Sequence, residues 1–207
     1  MTVPDDLDLR DREAAARSGM PDAGYDLVES PLGPLLVAAS DRGLLRISFG
    51  EEIEQHLEKL ARIAGHTILR TPRRVDGARR ELDEYFEGRR HAFDLTVDLG
   101  VVKPFTKRVL AELARIPFGA TVTYGELAAR AGYPRAARAV GMTMNRNRTP
   151  IVLPCHRVIG ANGSLVGYAG GLDRKVALLT LEGATVHLDA LGQRAATRAA
   201  GTPCPRR

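Results

Sequence analysis

The stretch Pro150-Ile151-Val152-Leu153-Pro154-Cys155-His156-Arg157-Val158-Ile159 decides how the rest of this 207-residue chain is read. Aliphatic and β-branched residues flank a Pro-Cys-His-Arg tetrapeptide, the pattern of a short buried segment that holds one thiol in a fixed place. Cys155 has two readings. Free cysteine is among the most buried residue types, so a small apolar filler is one of them. The other is a reactive thiol, because His156 and Arg157 can each supply positive charge, which lowers a thiol from its reference pKa of about 8.5. Pro154 restricts the backbone just before it. In an extended segment successive side chains point to opposite sides, so His156 reaches Cys155 only through a water or from the flank. That geometry speaks against a simple Cys-His hydrolase pair.

Downstream, Gly160-Ala161-Asn162-Gly163 predicts a turn, residues 164–168 a short hairpin arm or loop, and Ala169-Gly170-Gly171 a flexible wall close to Cys155. Leu172, Val176 and Leu179 share one face of a helix over 172–181 that ends at Glu182-Gly183. Upstream, Pro104 suits the first turn of a helix whose face carries Phe105, Val109, Leu113 and Ile116, closed by Pro117-Phe118-Gly119. Thr123 and Glu126 have the spacing of a capping box opening a helix through Ala131. Gly132-Tyr133-Pro134 breaks the chain before a second helix over 135–145, and helix, three-residue turn, helix is the spacing of a helix-turn-helix. In that second helix Ala136, Ala137, Ala139 and Gly141 leave a nearly bare surface around Arg138. Close packing inside the protein accounts for such a surface; so does entry into a narrow groove such as the DNA minor groove.

Further upstream, residues 25–29, 35–39 and 44–49 read as short strands with turns brief enough for an antiparallel meander. Helices follow over 51–64, closed by Gly65, and over 76–86, burying Ala78, Leu82, Tyr85 and Phe86. Residues 91–101 are a further strand or a linking loop. The domains expected are 23–100, an α/β unit, and 101–188, which holds Cys155. Residues 1–22 read as a mobile tail and 189–207 as a basic disordered one.

Composition narrows the function. Residues 1–100 hold 14 Lys and Arg against 20 Asp and Glu, whereas residues 101–207 hold 16 against 5. The basic half contains Cys155, an asymmetry that fits either a polyanion partner or scattered surface arginines. No apolar run is long enough to span a bilayer, and the N-terminus lacks the basic-then-apolar pattern of a signal peptide, so a cytoplasmic location is expected. Two cysteines without paired histidines or a Cys-x-x-Cys spacing predict a reduced thiol protein with no metal and no cofactor.

Pro154-Cys155-His156-Arg157-Val158, then Ile159-Gly160, Gly163-Ser164-Leu165, Gly167-Tyr168-Ala169-Gly170-Gly171-Leu172 and Leu178-Leu179-Thr180-Leu181-Glu182-Gly183, resembles the active-site region of the methylated-DNA–protein-cysteine methyltransferases. The likeness covers residues 103–183 closely and 24–100 more weakly. It implies an α+β fold: a small N-terminal antiparallel sheet with helices, ribonuclease H-like, then a mainly helical, winged-helix-like domain with the helix-turn-helix. It also implies repair of O6-alkylguanine in double-stranded DNA, bound mainly through the minor groove by a monomer, with cooperative binding along the DNA left open. An alkyl group on guanine O6 lies within the base stack, so the nucleotide must be flipped out before a buried thiol can reach it. By the same resemblance Cys155 accepts the alkyl group and His156 takes the thiol proton through a water. Glu182 orients that histidine, Tyr124 protonates the departing guanine, and Asn147 holds the turn before Cys155. Arg138 takes the place of the rotated nucleotide, with Thr123, Tyr124, Ala137, Ala139 and Gly141 against the DNA. Val158, Tyr168, Ala169 and Gly170 line the base pocket. From sequence alone Glu182 reads equally as a surface carboxylate at a helix end. Arg148 stands where the family usually has proline.

Three rival functions remain. A damage sensor related to the alkyltransferase-like proteins would bind the lesion without repairing it, but those proteins lack the acceptor cysteine. A cysteine hydrolase or a plain helix-turn-helix regulator would turn over many substrates or prefer one undamaged sequence.

Overall fold

A computed structural model describes residues 22–50, 53–64 and 67–185. The two expected tails, apart from Asp22, lie outside these residues, as do positions 51, 52 and Gly65 at the ends of the first helix.

Strands β1 (Ala23–Val28), β2 (Leu35–Ser40) and β3 (Gly43–Phe49) form the expected meander, with Leu27 opposite Leu36 and Val37 opposite Ile47. A fourth strand, β4 (Ile68–Arg70), pairs parallel with β1, so the sheet is mixed, in the order β3-β2-β1-β4. At three residues β4 is too short to show a period in sequence. The central strand β2 is buried on both faces, which its unbroken Leu-Leu-Val-Ala-Ala run allows. Leu36 and Ala38 pack under helix α1 (Ile53–Ala64) with Leu60. Leu35, Val37 and Ala39 face helix α2 (Pro72–Phe86) with Val75, Ala78, Leu82 and Tyr85. Helix α2 starts four residues before the expected position 76, because Pro72 occupies its first turn, where a missing amide costs nothing. Residues 91–101 form a loop that meets the sheet through the β-bridge of Val97 with Leu44 and through Asp98, which accepts from Ser40 and Arg42.

The second half comprises α3 (Pro104–Ala114), β5 (Val122–Thr123), α4 (Tyr124–Arg130), α5 (Ala137–Asn145), a 3₁₀ turn at Cys155–Arg157, β6 (Val158–Ile159) and α6 (Leu172–Leu181). Thr123 and Glu126 make the capping box in both directions. Helix α5 begins at Ala137 rather than 135, which lengthens the turn of the helix-turn-helix. Residues 164–168 form a loop, and β6 pairs parallel with β5. One core holds Val109, Leu113, Leu127, Val140, Met144, Leu153 and Cys155. Ile151, Val152 and Leu178 instead join the sheet's core with α2, so the two halves share apolar contacts beside the thiol.

Candidate active site and nucleic-acid interface

The approach to Cys155 is unusual backbone. Ile151 is fully buried and holds φ at +75°. A β-branched residue in that region costs about 1–3 kcal/mol and persists only where its surroundings impose it. They do so through hydrogen bonds: Thr149 N–H donates to Asn147 Oδ1 at 3.2 Å and Leu153 N–H to the Thr149 carbonyl at 2.9 Å. Ile47 N–H of β3 donates to the Arg148 carbonyl at 2.8 Å, so the sheet braces this turn. Pro154, at φ −80° and ψ 63°, then forms an inverse γ-turn in which Cys155 N–H donates to the Leu153 carbonyl at 2.8 Å.

Residues 155–157 curl into the 3₁₀ turn, which corrects the extended segment expected from sequence. Proline's fixed φ suits the start of a helical turn, and apolar residues alone could not distinguish a strand from a curl. Side chains in such a turn fan out by about 120° rather than alternating. The Cys155 and His156 side chains therefore face different partners, the thiol meeting Asn147 and the imidazole Glu182.

Asn147 Nδ2 donates to Cys155 Sγ at 3.1 Å and to the Leu153 carbonyl at 2.8 Å. His156 is completely buried, and its Nε2 lies 2.9 Å from Glu182 Oε1. The carboxylate can only accept, so Nε2 carries the proton and the Nδ1 lone pair is left basic; Nδ1 has no hydrogen-bond partner within the chain. Glu182 is itself buried, not the surface carboxylate that its place at the end of α6 also permitted. Its oxygens also accept from Arg157 Nε (2.9 Å) and Nη2 (2.8 Å), from Tyr85 Oη (2.7 Å) and from Gly119 N–H (3.2 Å). Arg157 completes its contacts on the Ile116 carbonyl.

These contacts set the protonation states. Burial would raise Glu182, but the donors on His156 and Arg157 prevail and hold it at about 2. Burial pushes the His156 imidazole down, against the pull of Glu182, so it is neutral and able to accept a proton. Burial pushes the Cys155 thiol up to about 11, opposed by the Asn147 amide and the Lys175 ammonium. The sequence-based expectation that His156 and Arg157 lower the thiol is corrected: His156 is uncharged, and the Arg157 charge is engaged by Glu182.

Lys175 escaped sequence reasoning, since one lysine on an amphipathic helix reads as solvated. Here its ammonium is fully buried and donates to the Val158 carbonyl at 2.6 Å and the Val166 carbonyl at 3.1 Å, and desolvation lowers it to about 8. Lys175→Met should leave both carbonyls short of a donor, at about 1–3 kcal/mol for each unmet group, and deprive the thiolate of its nearest ammonium. A lower melting temperature is expected, with a rise in the pH at which Cys155 reacts with a small alkylating reagent. A variant that titrates unchanged would show that Lys175 is structural only.

The remaining candidates fall around the thiol or on the outer helix. Val158 follows Cys155 closely and is buried. Tyr124, the first residue of α4, donates through its hydroxyl to the Val166 carbonyl at 3.2 Å, and desolvation raises its pKa. Tyr168 packs on Phe49 with ring centroids 6.1 Å apart, and its buried hydroxyl has no partner within the chain. Ala169 is exposed. Gly170 is not part of a loose wall: it is buried, and a Cβ there would stand 2.7 Å from Phe49 Cε2 and 2.8 Å from Tyr168 Cε1. On α5, Val140, Thr143 and Met144 face the core, Ala137, Ala139 and Gly141 are half-buried, and Arg138 is exposed with Arg135, Met142 and Arg146 nearby. Thr123 caps α4, and a Cβ at Gly141 of α5 would stand 3.8 Å from the ring of the next residue, Tyr124. Among the described residues no group of His, Cys, Asp and Glu could hold a metal ion, and no helix is long and apolar enough to cross a membrane.

Comparison with known proteins follows the same division. Residues 104–184 match the family model described as 6-O-methylguanine DNA methyltransferase, DNA binding domain, and residues 24–99 match its ribonuclease-like domain. A methylated-DNA–protein-cysteine methyltransferase of Methanosarcina barkeri is 43% identical over 158 residues, which cover 76% of this chain and 96% of that protein. The protein of the same name from Mycolicibacterium paratuberculosis is 44% identical over 158 residues, 76% of this chain and 91% of its own length. Mycobacterium tuberculosis OGT in complex with DNA superposes with a TM-score of 0.66 at 39% identity, covering 77% of this chain and 92% of that one.

Proposed function

Because the chain belongs to the 6-O-methylguanine DNA methyltransferase family, we propose that it repairs DNA by moving the alkyl group of an O6-alkylguanine onto its own Cys155. The observation that carries this reading is the arrangement of one buried thiol, held by Asn147, beside a neutral His156 whose other nitrogen is fixed on Glu182. In the reaction Sγ attacks the alkyl carbon, the S–C bond forms as the C–O6 bond breaks, and guanine leaves. The thiol proton goes to His156 Nδ1 through one water, a nucleophile–base–orienter series with a water inserted. Tyr124 supplies the proton that the departing guanine needs. The Val158 carbonyl and the loop of Tyr168, Ala169 and Gly170 bound the base.

The product is a thioether, and among the described residues no group near Cys155 is placed to hydrolyse it, so each molecule acts once. Intact mass and peptide mapping after mixing the protein with a duplex carrying one O6-methylguanine test this directly. One methyl group on the Cys155 peptide, saturating at one per protein, is the expected result. Tight binding without mass gain would support the damage-sensor reading instead.

DNA enters as partner through residues 101–188, with residues 23–100 as a supporting domain. Small residues on α5 allow close approach to the minor groove, and Arg138 fills the space of the flipped nucleotide. Flipping costs a few kcal/mol, so a wedge matters only where there is a stack to open. Arg138→Ala should slow repair of duplex DNA by about 10- to 100-fold, the equivalent of roughly 1.4–2.7 kcal/mol, while reaction with free O6-alkylguanine base changes little. Equal losses in the two assays would refute the wedge role.

A further inference from the structure

Glu182 lies in the second half of the chain, yet one of its donors comes from the first. The Tyr85 hydroxyl reaches out of α2 and donates to Oε1 at 2.7 Å, the same oxygen that meets His156 Nε2 at 2.9 Å and Arg157 Nη2 at 2.8 Å. The ring is completely buried among Phe86, Phe93 and Phe118, with centroids at 5.4, 5.3 and 6.0 Å. Phenylalanine would fill that aromatic cage equally well; the hydroxyl adds nothing to the packing and must be satisfied if buried. It is satisfied by the carboxylate that orients the active-site imidazole. Two further contacts bring the sheet domain to the site: Ile47 N–H on the Arg148 carbonyl at 2.8 Å, and the Leu32 carbonyl accepting from Arg174 Nε at 3.1 Å.

We propose that Tyr85 is a positioning residue for alkyl transfer, with which the N-terminal sheet domain fixes the Glu182 carboxylate against His156. The proposal rests on the alkyl-transfer reading above. A carboxylate that loses one donor pairs more strongly with those that remain. Without the Tyr85 hydroxyl, Glu182 therefore holds a protonated His156 more tightly, and the imidazole must be titrated at higher pH before it can accept the thiol proton. The charged and titratable groups facing this pair are Arg157 from the same turn, Lys175 from α6, and Cys155 and Tyr168 from the pocket. Arg157 and Tyr168 also face the Tyr85 hydroxyl, and none of the four is itself substituted in Tyr85→Phe.

The test is single-turnover methyl transfer from duplex O6-methylguanine as a function of pH, with the full-length protein. Tyr85→Phe should slow transfer about tenfold at neutral pH, in keeping with one hydrogen bond to a charged group, and should move the acid limb of the profile to higher pH. Phe93→Leu, which loosens the same cage without touching Glu182, should lower the melting temperature and leave the limb in place. Trifluorotyrosine at position 85, a stronger donor, should move the limb the other way, and it keeps the proposal testable if Tyr85→Phe folds poorly. A Tyr85→Phe limb that coincides with the unaltered protein's would overturn the proposal. If the unaltered protein transfers no methyl group at all, it is the alkyl-transfer reading that fails, and the two failures are separate.

Discussion

Glu182→Gln is expected to destabilise the protein by about 3–5 kcal/mol, the cost of breaking a buried ion pair by removing one partner, and to slow methyl transfer by about 10²-fold or more. The carboxylate accepts from His156, Arg157, Tyr85 and Gly119. A carboxamide of the same shape has one acceptor oxygen, and its NH₂ group would face donors. Arg157, nearly fully buried, would keep its charge with no counter-ion. The His156 ring would also lose the acceptor that fixes its proton on Nε2, and with it the basic Nδ1. Acid provides an independent check. A carboxyl lowered from 4.5 to about 2 contributes stability that is complete above pH 4.5 and lost as pH falls toward 2. Glu182→Gln lacks that contribution at every pH, so its unfolding curve should lie well below the unaltered protein's at pH 7 and approach it near pH 2. Parallel curves would mean that the ion pair does not anchor this site.

How much of this was legible in the sequence depends on whether the signal was local. The meander, the amphipathic helices and the Thr123–Glu126 capping box all announce themselves within a few residues, and the structure has them. Strand β4 and the early start of α2 were missed because three residues carry no period and Pro72-Arg73-Arg74 offers no apolar face. Around the thiol, the resemblance pointed to Cys155, His156, Asn147 and Glu182, and the fold brings these four together. The local chemistry was read less well. Positive neighbours in sequence implied a lowered thiol, but protonation depends on which partners the fold supplies, and the 3₁₀ turn sends Arg157 to Glu182 and leaves the sulfur to Asn147 and Lys175. Tyr85 and Lys175 could not have been found by spacing, since the one lies 97 residues from its acceptor and the other hides a charge on a helix that reads as amphipathic. Both follow from tertiary burial alone.

Cys155→Ser should abolish transfer while leaving affinity for DNA containing O6-methylguanine within a few-fold. The hydroxyl keeps the size and the Asn147 contact approximately, but an alcohol is a far weaker nucleophile than a thiolate, and no other thiol lies in the described residues. The unaltered thiol, at about 11, is almost wholly protonated at neutral pH, so the proposed transfer requires His156 to remove the proton as the sulfur attacks. Two consequences separate this from a thiol that works as a preformed anion. Transfer by the unaltered protein should be nearly flat between the imidazole's titration and about pH 8, where a free thiolate would give a tenfold rise for each pH unit. His156→Ala should restore that steep rise, because only hydroxide and solvent then remain to take the proton. Stability runs the opposite way. A thiol raised from 9.0 to about 11 contributes stability that is complete below pH 9 and lost as pH climbs toward 11. Cys155→Ser lacks this group's contribution in that window, so its melting temperature should fall less between pH 8 and 11 than the unaltered protein's. A steep rate profile in the unaltered protein, together with equal alkaline losses in the two, would show that Cys155 is ionised before it meets the alkyl group, and the base would no longer be His156.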